Sequence, residues 1–181
     1  MANAETHALV NIKRVEIITD EATPQTLTWD TASEAGYEPI VSEGEEKVLR
    51  TKNTIHAIDK TEDIQYGSDI TLTDNKFAPE VLAIIDGGTL KKDAEQNIIG
   101  YTPPVSGQAV NRKTFTLNIY TEEKEGDEIV GYFKFSYPNC KGKPANFTFK
   151  DGEFTTPEFT ISSRPKNGEA PYDLDILAQL P

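Results

Sequence analysis

Apolar residues recur at even positions over Ile64, Tyr66, Ile70 and Leu72, the period that puts side chains on one face of a strand. The period then changes. Val81, Ile84 and Ile85 recur at i, i+3 and i+4, the spacing of one helical face, which predicts a short helix over about residues 76–87. Pro79 suits the first helical position, where its missing N–H would be unpaired anyway, and Glu80 puts negative charge near the positive end of the helix dipole. Phe77 and Leu82 occupy the N′ and N4 positions of a hydrophobic staple. A start further upstream with Asn75 as cap has the better capping side chain, so both starts stay open. Gly87 and Gly88 stop the helix where a left-handed backbone is needed. A helix of about two to three turns does not stand alone in water. It must lay Val81, Leu82, Ile84 and Ile85, with Phe77 as staple, against a sheet as a brace.

The rest reads as strand and turn. Val10 and Ile12 share one parity and Val15 and Ile17 the other, so the first strand bulges near Lys13-Arg14 or is two short strands. A polar, Pro-interrupted stretch runs on to Gly44, with Leu27 and Trp29 as its apolar anchors, and reads as loop or short edge strands. The run KVLRTKNTIHAI is rich in β-branched residues but carries Val48, Leu49, Ile55 and Ile58 without clean alternation, as a long strand or extended arm would. Further on, Pro103-Pro104 and Gly107 interrupt any regular element after Ile98-Ile99. Phe115, Leu117 and Ile119 alternate with polar neighbours, and Ile129, Phe133, Phe135 and Tyr137 share a parity in the next strand. Between them lies an acidic hairpin tip that Gly126-Asp127 can turn. Asp151-Gly152 reads as the type I′ turn of a last hairpin, with Lys150 facing Glu153 and Phe149 facing Phe154. The tail over 163–181 is mostly polar, but its Leu174, Ile176, Leu177 and Leu180 need a partner surface. The sum is a mainly β fold: one domain over 1–181, an antiparallel sandwich or barrel with one short flanking α-helix.

Charge narrows the function. Lys and Arg number 18 against 30 Asp and Glu, a net charge of −12. Such a surface repels phosphate backbones, which argues against sequence-specific DNA binding. No window approaches the ~18 apolar residues of a membrane span. The first residues lack a basic start and an unbroken apolar core, so no secretory route is expected, and a single Cys140 forms no intrachain disulfide. Chemistry is equally sparse. His7 and His56 lie far apart with no metal-ligand spacing, Cys140 has no evident base, and Asp59, Glu62, Asp63 and Asp69 lack the spacing that wraps a calcium ion. The expectation is no metal, no cofactor and no enzyme.

The segments SEGEEKVLRTKNTIHAID, DIQYGSDITLTDNKFAPEVLAIIDGGTL and PPVSGQAVNRKTFTLNIYTEE, in that order and spacing, resemble the major tail (tail tube) proteins of long-tailed bacteriophages of Gram-positive bacteria and their prophage or tailocin relatives. The likeness spans roughly Ser42 to Tyr137 and is sharpest where Thr73-Asp74-Asn75 and Asp86-Gly87-Gly88 flank the helix. It implies a virion structural protein, assembled in the host bacterial cytoplasm into hexameric rings that stack as a hollow tube. Its partners would be copies of itself and the tail terminator, tape measure and baseplate or distal tail proteins. DNA would pass through the lumen without specific binding, and no membrane would be involved. The family binds the adjacent ring with a long loop or hairpin and with the termini. Here that implies an arm over about 43–69, with Glu43, Glu45, Glu46, Lys47, Arg50, Lys52, Asp59, Glu62 and Asp63 as interface residues. Glu122, Glu123, Glu125, Asp127 and Glu128 are candidates for lumen acids, or else a solvated outer hairpin. Two other readings share the β pattern: an immunoglobulin-like surface or adhesion module of a Gram-positive bacterium, and a small-ligand-binding barrel.

Overall fold

Alternating burial builds a sheet that curls almost onto itself. The computed structural model describes residues 4–181. It contains, in chain order, β1 (Leu9–Thr19), β2 (Thr26–Trp29), β3 (Ala32–Ser42), β4 (Glu46–Thr51), β5 (Thr54–Lys60), β6 (Ile64–Asp74), α1 (Pro79–Asp86), β7 (Thr89–Lys92), β8 (Ile98–Thr102), β9 (Phe115–Glu125), β10 (Glu128–Gly142), β11 (Glu158–Ser163) and β12 (Asp173–Leu177). The main sheet runs β2-β1-β9-β10-β11-β6-β3, all antiparallel. β12 adds to β10 at Tyr132–Ser136, on the edge that β11 uses at Cys140–Gly142. β3 comes back beside the first half of β1 without pairing to it, leaving a cleft lined by Leu9, Val10, Ser33 and Ala35. The fold is thus mainly β with one short helix, as the hydrophobic pattern predicts.

The core lies inside the curl. Val15 and Ile17 of β1, Ile70 and Leu72 of β6, Phe115, Leu117 and Ile119 of β9, and Phe159 and Ile161 of β11 are all buried there. Parity does switch within β1, through register shifts between Val10 and Ile12 and between Ile12 and Arg14. Asn11, at φ 58, takes the left-handed conformation one shift requires. α1 closes the wall with Val81, Leu82, Ile84 and Ile85 buried. It starts at Pro79 with Ala78 as a cap that lends no side-chain hydrogen bond, so Asn75 is not the cap, and Gly87 ends it at φ 85. Phe77 is half exposed and packs on Phe147, with ring centroids 5.2 Å apart.

Two stretches differ from the sequence pattern. The polar segment before Gly44 holds an eleven-residue strand, β3, whose burial is confined to Ala32 and partly to Ile40. With so little of it covered, apolar alternation had no reason to develop. Asp151-Gly152 does turn the chain, and Lys150 pairs with Glu153 at 3.2 Å, but no hairpin ladder flanks it. Only Asn146 bridges Glu158, and Phe149 and Phe154 stand in solvent, 78% and 98% exposed.

Candidate assembly interface

Past Ser42 and Ile64 the β3–β6 ribbon leaves the body and keeps going. The Thr61 N–H donates to the Glu45 carbonyl at 3.0 Å and the Glu45 N–H to Thr61 Oγ1 at 2.8 Å. Asp63 Oδ1 takes the Gly44 N–H at 2.8 Å. β4 and β5 then pair from Glu46–Lys60 to Thr51–Thr54, so KVLRTKNTIHAI is two strands around a turn at Lys52-Asn53, not one long strand. At about 3.3 Å per residue, Ser42 to Thr51 reaches about 30 Å. Every residue of β4 and β5 is exposed. Val48 faces Ile58 on one side and Leu49 faces Ala57 on the other; a register shift after Leu49 sets Ile55 opposite Arg50, on the side of Val48. A bare two-stranded ribbon is marginal in water, and this one is apolar on both faces.

The charged residues singled out on this arm are all exposed. Lys47 pairs with Glu45 at 3.2 Å and sits opposite Asp59. Arg50 Nε donates to the Lys52 carbonyl at 2.6 Å. Among the described residues Glu43, Glu46, Asp59 and Glu62 hold no ion pair. From Lys47 to Lys60 the hairpin carries Lys47, Arg50, Lys52 and Lys60 against Asp59 alone, a basic tip on a protein of net charge −12.

The arm is rooted through polar contacts on β6. Asp69 binds Lys143 Nζ at 2.6 Å, accepts from Ser162 at 2.7 Å and lies 3.5 Å from Arg164. Burial alone would raise its pKa, but the hydrogen bonds from Lys143 and Ser162 and the two cations outweigh it and hold the group below its ordinary 3.8. Because the folded value is depressed, this stabilisation is full above pH 3.8 and is lost as pH falls through the lower folded value. Asp69→Asn should cost about 2 kcal/mol at neutral pH, with the gap from wild type closing under strong acid, as urea melts at a series of pH values would read. Beside this root, Tyr37 stacks on Tyr137 at 5.7 Å and meets Tyr172 edge-on at 5.6 Å.

The five acids of the β9–β10 hairpin divide into two groups. Glu122 is only 5% exposed; it accepts from Asn11 at 3.0 Å and binds Lys13 at 3.2 Å, and its pKa is lowered first by the Asn11 hydrogen bond. Glu123 binds His7 at 2.6 Å. Glu122 is therefore a pillar of the sheet face and is not available to a channel wall. Glu125, Asp127 and Glu128 are exposed around the Gly126 turn and hold no ion pair among the described residues. Nothing in the sequence alone separates the groups, because Asn11 and Lys13 reach Glu122 across more than a hundred residues.

Elsewhere the polar groups are structural. Tyr101 donates to Asp86 at 2.5 Å, while Arg112 Nε donates to the Asp86 carbonyl at 2.9 Å, tying the helix end to the loop before β9. Burial, then the Asp86 contact, raises the Tyr101 pKa. Cys140 is buried, and that burial pushes its thiol up to about 12, far from a nucleophile's range. No group of three or more metal-ligating side chains occurs among the described residues, and no helix is long and apolar enough to cross a membrane.

No family model matches the chain, and no curated protein does. Among solved structures it is similar to a chain of the cryo-EM structure of the anti-feeding prophage (AFP) baseplate, 6-fold symmetrised. That likeness covers 97% of this chain and 98% of that one, at 12% identity and a TM-score of 0.44. At this distance the function is read from the chain's own surfaces.

Proposed function

We propose that the protein is a structural subunit that assembles with copies of itself into stacked hexameric rings, forming the hollow tail tube of a phage or phage-tail-like particle. The observation that carries this reading is the β4–β5 hairpin: exposed throughout, apolar on both faces, and rooted in the sheet by β3 and β6. A monomer gains nothing from such an arm. Covered by another copy, it buries Val48, Leu49, Ile55 and Ile58 and sets its basic tip against an acidic body. A contact of this head-to-tail kind closes into rings or repeats along an axis. The sequence resemblance supplies the tube, the hexamer and the partners: tail terminator, tape measure and baseplate or distal tail proteins. The surplus of acid suits a conduit through which DNA slides without sticking. Assembly in the host cytoplasm, a place in the virion tail and the absence of an enzymatic role complete the proposal. Negative-stain electron microscopy of the concentrated full-length protein tests it.

A further inference from the structure

The main sheet forks where β11 ends. Ser163, the last residue of β11, pairs with Cys140 of β10 and with Ser68 of β6. Beyond it β12 takes the edge of β10 from Ser136 to Tyr132, and its own outer edge pairs with nothing among the described residues. On the other prong, Ile64 to Gly67 of β6 extend past β11 and pair only with β3. Two open strand edges thus border one notch, with Arg164 at its apex, where Nη1 donates to the Ser68 carbonyl at 3.3 Å. Open edges of this kind recruit other strands. The notch is also apolar where it meets solvent. Leu174 and Ile176 sit opposite Phe135 and Phe133, on the face whose Phe133 and Tyr137 are buried, yet they are 46% and 61% exposed. Tyr172 and Tyr37, in ring contact, widen that patch, and both are exposed.

We propose that this notch receives the β4–β5 arm of a second copy of the chain. Strand direction favours a hairpin. β10 and β6 both run antiparallel to β11, and β12 runs antiparallel to β10, so β12 and β6 are antiparallel to each other. A two-stranded insert keeps every neighbour antiparallel, whereas a single strand would lie parallel to one of them. Side chains agree with it. Val48, Ile55 and Ile58 share one face of the arm and cover Leu174, Ile176 and Tyr172 while the backbone adds to the β12 edge. Charge selects the arm over other hairpins. Four bases and one acid between Lys47 and Lys60 meet a notch rimmed by Asp173 and Asp175 on β12 and by Glu62 and Asp63 below β6. Among the described residues only Asp175 of these four holds an ion pair, with Lys134. The chain's own arm does not fill the notch. It leaves along β6, its connections over 43–45 and 61–63 are tied to each other by the Thr61–Glu45 and Gly44–Asp63 hydrogen bonds, and all of β4 and β5 stays exposed. An arm of one copy in the notch of the next is a head-to-tail contact, the kind that repeats.

This inference rests on the self-assembly reading and names the surface that takes the arm. Two measurements on the full-length protein test it. Ile176→Lys puts a cation in the path of a basic hairpin and removes apolar contact, so it should weaken self-association at least about tenfold by sedimentation velocity. Ile176 is exposed, so the variant should melt with wild type. Mixing Val48→Cys chains with Ile176→Cys chains under a mild oxidant should give a disulfide-linked dimer that neither variant gives alone, and a chain carrying both cysteines should give a ladder of multimers on a non-reducing gel. The native Cys140 is buried and does not compete. Wild type that assembles while Ile176→Lys assembles equally well, or while the mixed cysteine chains give no cross-link, overturns the notch as receptor and leaves the self-assembly reading standing. Wild-type chains that stay monomeric at every concentration overturn the assembly reading and this contact with it.

Discussion

Replacing Glu46–Lys60 with an Asn-Gly turn should leave a folded protein that no longer assembles. The cut falls where the ribbon already closes, because the Thr61 N–H reaches the Glu45 carbonyl at 3.0 Å and a two-residue type I′ turn fits between the flanking strands. Deletion deeper into 61–69 would remove Gly67, Ser68 and Asp69, which are packed into the body, and would confuse lost folding with lost assembly. None of the residues removed is buried, so circular dichroism and melting temperature should hardly move. Assembly should move a great deal. Val48, Leu49, Ile55 and Ile58 are 45–63% exposed, and covering what remains of each contributes about 1 kcal/mol. Losing all four should weaken the contact by about a thousandfold, read by sedimentation velocity. Unchanged assembly by the shortened chain would remove the arm from the interface.

Gly142→Ala should be the most damaging small substitution in the body. A Cβ there would stand 1.9 Å from the Ile85 carbonyl oxygen and 2.6 Å from Ile85 Cα, so helix and strand must separate. The obstacle is backbone on both sides, and no side chain can swing away. Overpacking of this kind costs about 3 kcal/mol, a drop of about 6–12 °C in Tm for a chain of this size. Gly36→Ala is the control, because its nearest neighbour, Thr71 Cβ, is 3.9 Å away, an ordinary contact. Its stability should stay within about 0.5 kcal/mol of wild type in the same melt.

α1 was legible because its stop signals are local: Pro79 and Gly87 act through their own backbone, wherever the helix docks. What Phe77 packs on was not, since Phe147 arrives from seventy residues away. β9 and β10 were legible from parity because Phe115, Leu117 and Ile119, and Phe133 and Tyr137 beside them, are buried on one shared face. β3 was not, because Ser33 to Pro39 are all exposed and Pro39 sits inside it, a residue an edge strand tolerates. The Asp151-Gly152 signal fixed a turn and nothing more; whether strands flank a turn depends on what covers them, and nothing covers Phe149 or Phe154. The arm showed as broken alternation, with Val48 and Leu49 on opposite faces.

A chain that builds a tube from copies of itself shows it directly under negative-stain electron microscopy of the purified full-length protein across a concentration series. Rings with sixfold symmetry and hollow stacks that lengthen with concentration are expected. Particles that remain single, featureless monomers at every concentration and salt would contradict tube assembly.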